Sequence, residues 1–130
     1  MNYRLAGPVL ALLLAGLYFS AELYLFERPA FPLDDSWIHL QFAERLASGD
    51  GLTYNAGERI NGSTAPLWTA LLSFGFLLPG GLPLLWPKLL GVFFLVATVI
   101  ATGHLAAAVG AAPWTRRLAE VLIATSHWWR

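Results

Sequence analysis

Two adjacent carboxylates, Asp34 and Asp35, are the residues in this chain best suited to chemistry. One such carboxylate can take a proton from an acceptor hydroxyl while its neighbour orients that hydroxyl or holds a cation. The plainer role is capping. An Asp just before a helix accepts a backbone N–H and suits the positive end of the helix dipole. Both roles can coexist, because a cap holds its side chain still. His39 follows the acids by one helical turn and can share their face, as a ligand, a proton shuttle or a polar neighbour at an interface. Glu58 and Arg59 are either solvated and locally paired or in contact with substrate, since a guanidinium matches phosphate oxygens well. There is no cysteine, which excludes disulfides, thiol nucleophiles and thiolate-bound metals. No metal site or cofactor is assigned, although the paired acids leave room for a divalent cation. Asn61-Gly62-Ser63 fits a glycosylation sequon, a three-residue pattern with little specificity.

These residues need elements to position them. Arg28-Pro29-Ala-Phe-Pro32 is a stiff linker, because each proline pushes its predecessor out of helical geometry. After it, Ile38, Phe42 and Leu46 recur at four-residue spacing, with Asp35, Glu44, Arg45 and Ser48 on much of the remaining surface. That pattern predicts an amphipathic helix over 35–48, stopped by Gly49 and lying along a membrane interface. Asp50-Gly51 and Ala56-Gly57-Glu58 read as turns around an extended Leu52–Asn55, and Pro66 opens the next helix.

On either side of this polar stretch the chain is apolar. Hydrophobic residues make up 57% of the sequence and charged residues 12%, half the charged share of an ordinary soluble domain. Seven of the eight acids fall between Glu22 and Glu58. Leu5–Ala21, Ile60–Pro87 and Leu89–Thr115 hold no Asp, Glu, Lys or Arg. Together with a net charge of zero, this excludes a soluble globule, a disordered tail and a nucleic-acid-binding module, and it predicts an all-α, polytopic membrane protein.

Residues 1–26 form the first expected span, with a signal peptide cleaved near Ser20 or Ala21 as the alternative. Residues 27–65 form an extracytoplasmic loop that carries the amphipathic helix. Residues 66–86 form a second membrane segment, either kinked near 79–81 and continuing through Leu85–Trp86 or a short element that does not cross fully, and 88–110 form a third span. Residues 118–130 begin a further membrane helix, so the chain reads as the N-terminal piece of a larger protein. Three full crossings from a cytoplasmic start would put Arg116-Arg117 outside, against the positive-inside rule. A second segment that dips in and returns, turning near Pro79–Lys88, removes the conflict.

The run Leu33-Asp-Asp-Ser-Trp-Ile-His-Leu-Gln-Phe-Ala-Glu-Arg-Leu-Ala-Ser-Gly-Asp-Gly-Leu-Thr-Tyr-Asn-Ala-Gly-Glu58, followed by Gly62-Ser-Thr-Ala-Pro-Leu-Trp-Thr69, resembles the N-terminal region of bacterial GT-C-fold membrane glycosyltransferases of the arabinofuranosyltransferase-like and protein-mannosyltransferase-like kind. The shared order is two acids, an aromatic-rich helix, a Gly-x-Gly turn, an Asn-x-Gly-Glu turn and a small-Thr-x-Pro-Leu-Trp start to the next span. The likeness covers about residues 1–110. It implies a helical GT-C-like fold in the bacterial inner membrane. It also implies transfer of a sugar from a polyprenyl-phosphate donor to a glycan or protein acceptor.

By that resemblance Asp34 and Asp35 are the catalytic acids. His39, Glu58, Arg59 and Thr64 are candidate substrate contacts. Some relatives carry Arg where this chain has Gln41. Their donor-binding groups lie in later spans, so these 130 residues are expected to be inactive alone. The rival readings are a small helical membrane subunit or scaffold whose acids cap a helix, and part of a cation transporter, where acids inside the spans would be expected.

Overall fold

The computed structural model describes residues 5–26, 31, 34–55, 57–58, 63–79 and 84–126. Among them the protein is all helical, with five helices and no strand: α1 (Ala6–Phe26), α2 (Asp34–Ala47), α3 (Pro66–Leu77), α4 (Leu85–Ala108) and α5 (Pro113–Ser126). Two of these, α1 and α4, are long and apolar enough to cross a membrane. At about 1.5 Å per residue, the 21 residues of α1 and the 24 of α4 each exceed the ~30 Å of a hydrocarbon core. The 12 residues of α3 reach only about 18 Å.

The chain divides into two compact units, residues 28–88 and residues 1–27 with 89–130. In the first, α2 packs on α3. Leu40, Phe42 and Ala43 are the buried residues of α2, and Thr69, Leu72, Ser73 and Gly75 those of α3. The end of α2 is set by Gly49, at φ 89°. Its N–H donates to the Leu46 carbonyl at 3.2 Å, and the Asp50 N–H donates to the Arg45 carbonyl at 3.0 Å, a Schellman pair that satisfies the last carbonyls of the helix. Gly110 closes α4 in the same way, at φ 74°.

Of the two forms expected for the second membrane segment, α3 is the short one, and residues 80 and 81 of the expected kink lie outside the described residues. Pro79 disfavours helical geometry at Leu78, which sits at φ −70° and ψ 142°, so α3 ends at Leu77. Leu85 and Trp86 open α4 instead. Trp86 then folds back on α3, where its Nε1–H donates to the Leu71 carbonyl at 2.8 Å. Its side chain lies so close to Gly75 that a Cβ there would stand 2.8 Å from it. The last helix also starts earlier than residue 118, because Pro113 takes the first helical position, where its missing N–H costs nothing.

In the other unit the buried face of α1 is made of small residues one turn apart: Gly7, Pro8, Ala11 and Ala15, with Glu22 beyond them. Ala11 packs with Leu95 and Val99 of α4 and Ala124 of α5. Residues 7 and 8 lie by residues 99–107 of α4 while Ala11 lies by 95–99, so α1 and α4 run antiparallel. The outward faces carry the bulk: Leu12, Leu13, Leu17 and Leu23 on α1, Phe93, Phe94 and Ile100 on α4, and Trp114, Leu118 and Leu122 on α5 are exposed. Small residues inside and large apolar residues outside reverse the soluble pattern and suit helices surrounded by lipid.

Candidate functional site

The predicted site falls on α2 and the loop that follows it. Asp34 and Asp35 are the first two residues of α2, in the turn where carboxylates are favoured by the helix dipole. Asp35 is exposed. The side chain of Asp34 and the whole of Arg59 lie outside the described residues. His39, one turn further on, is half-buried, and its Nδ1 is enclosed without a hydrogen-bond partner.

An aromatic group flanks this turn. Trp37 is exposed and meets the Phe31 ring edge-on at 5.7 Å between centroids. The Lys88 ammonium sits 5.2 Å over Phe31, a cation–π contact that brings the start of α4 to the chain just ahead of α2. Further along α2, the Phe42 ring packs edge-on against Tyr54 at 5.7 Å. Gln41 Nε2 donates to the Tyr54 carbonyl at 3.4 Å and ties α2 to the loop that follows it.

The other candidates are not joined to the acids. Glu58 is exposed and accepts a bond from Asn55 Nδ2 at 3.0 Å, closing its own turn. Thr64 is exposed, and the hydroxyl used inside the motif is its neighbour's: Ser63 Oγ pairs with Thr69 Oγ1 at 2.9 Å, and Thr69 is fully buried. Arg45 pairs with Asp50 at 3.5 Å. Among the described residues no hydrogen bond or ion pair links Asp35, His39, Glu58 and Thr64, and no three His, Asp or Glu side chains converge as a metal would need. The start of α2 thus holds an exposed carboxylate, Asp35, and an aromatic pair, Phe31 and Trp37, with Lys88 stacked on Phe31.

Sequence reasoning overlooked a second polar cluster. Glu120 of α5 is only 5% exposed and accepts from Arg116 Nε at 3.2 Å. Its carboxylate fits where Gly7 and Gly103 lack side chains. The four-residue spacing of Arg116 and Glu120 was a visible ion-pair signal. Comparison with protein families, curated proteins and solved structures gave no match.

Proposed function

We propose that the chain is the N-terminal part of an integral-membrane glycosyltransferase that uses a polyprenyl-phosphate sugar donor. The observation that carries this reading is the place of the two acids. They open a helix that follows a potential span across residues 27–33, and that helix packs on an apolar helix too short to cross. α1 and α4 are antiparallel, so a chain starting in the cytoplasm returns there after α4, and residues 28–88 stay outside. Arg116 and Arg117 then fall inside, as the positive-inside rule prefers.

In the reaction, one aspartate takes the proton of the acceptor hydroxyl as its oxygen bonds to the anomeric carbon. The bond from that carbon to the phosphate oxygen breaks, and polyprenyl phosphate leaves with the electron pair. The Trp37 ring offers an apolar surface for a sugar face. The resemblance in sequence adds His39, Glu58, Arg59 and Thr64 as substrate contacts.

The test is sugar transfer in membranes that contain the complete polypeptide. Asp34→Asn and Asp35→Asn are each assayed; loss of the base lowers the rate by about 10²–10⁴-fold. Unchanged rates for both variants remove the assignment and leave the acids as helix-start residues of a non-catalytic subunit.

A further inference from the structure

Where the end of α4 meets α5, a cavity of about 210 Å³ is lined by Pro8, Ile100, His104, Ala107, Arg116 and Glu120. We infer that it binds the phosphate of an anionic lipid, with Arg116 as the phosphate ligand and Glu120 as its positioning residue. This inference makes no use of the Asp34–Asp35 reading.

The guanidinium has two usable edges. Glu120 takes only Nε, at 3.2 Å, and among the described residues the two terminal nitrogens of Arg116 make no hydrogen bond or ion pair. That leaves a two-pronged donor of the kind that grips phosphate. Glu120 is held in turn by the backbone. A Cβ on Gly103 would collide with its carboxylate, and one on Gly7 would come within 2.9 Å of it. The cradle fixes the carboxylate, the carboxylate fixes the guanidinium, and the open volume lies beside both. A purely structural ion pair needs no such volume. His104 adds a second donor on the α4 wall.

The surroundings decide between a lipid phosphate and a free one. Ile100, Leu105 and Val109 of α4 and Trp114 and Leu118 of α5 are all exposed, with Trp114 at 70%. A phosphate bearing acyl chains can lay them along these apolar faces, whereas inorganic phosphate makes no use of them.

Native mass spectrometry of the detergent-purified chain, titrated with phosphatidylglycerol or phosphatidylcholine, tests the site. Wild type is expected to hold phosphatidylglycerol about tenfold more tightly than phosphatidylcholine. Arg116→Gln should lose about that factor, the size of one charge-assisted contact. Ala107→Phe, which fills the cavity and keeps the ion pair, should lose as much, and this covers the case in which Arg116→Gln misfolds. Millimolar inorganic phosphate should leave the bound lipid in place. Equal binding of the two lipids, or retention of phosphatidylglycerol by the Ala107→Phe variant, overturns the site. Displacement by inorganic phosphate overturns its assignment to a lipid.

Discussion

Glu120 is a carboxylate with almost no water around it, and such a group persists only where its charge is met. Arg116 meets it, and Gly7 and Gly103 make the room. A methyl group at Gly103 has nowhere to go without moving the carboxylate. Gly103→Ala should therefore cost about 1–3 kcal/mol, read as a lowered thermal midpoint in detergent. The cost should shrink when Glu120→Ala is made in the same chain, because the colliding group is then absent; equal costs in both backgrounds would mean that Gly103 serves some other purpose. Arg116 and Glu120 were readable as an i,i+4 pair. Their burial was not, because it depends on two glycines that are distant in sequence and become neighbours only when α1, α4 and α5 pack.

At the scale of elements, boundaries follow local chemistry. Gly49 adopts a backbone that side-chain-bearing residues rarely take, so Gly49→Ala should destabilise the α2–α3 unit by about 1 kcal/mol. Gly16 lies inside α1 with open space where a Cβ would stand, and Gly16→Ala should be neutral or slightly stabilising. Thermal melts of the two variants check the contrast. The helix at 35–48 was legible from its apolar spacing and a terminal glycine and is observed as Asp34–Ala47, but of the series Ile38, Phe42 and Leu46 only Phe42 is buried, beside Leu40 and Ala43, and Ile38 is exposed. The end of α3 was harder to read. Pro79 announced a break, but a kinked continuation and a full stop look alike in one dimension. What decides it is the return of Trp86 onto the Leu71 carbonyl, a contact fifteen residues away. Trp86→Phe removes that donor and should cost about 1 kcal/mol. A Trp86→Phe protein as stable as wild type would assign the docking to ring packing alone.

For the whole molecule, composition alone pointed to helices in lipid, and the arrangement of faces adds a reason. Many large apolar side chains look outward from α1, α4 and α5, while the buried positions include Leu95, Val99, small residues of α1 and α5, and two carboxylates, Glu22 and Glu120. Glu22 lies within α1, so acids are not confined to the loop, and the ground for setting aside a transporter is weaker than the sequence reading held. The antiparallel α1 and α4 are compatible with the two-crossing topology proposed above. The proposed function puts the acids of α2 outside the membrane and the arginines of α5 on its cytoplasmic side.

That separation carries the functional proposal, and a chain without cysteine is ready-made for measuring it. Asp35→Cys and Thr115→Cys, both at exposed positions, are treated in intact cells with a maleimide that does not cross membranes. The account predicts rapid labelling at 35 and labelling at 115 only after the cells are opened. Labelling at 35 only in opened cells would place the acids on the cytoplasmic side and contradict it.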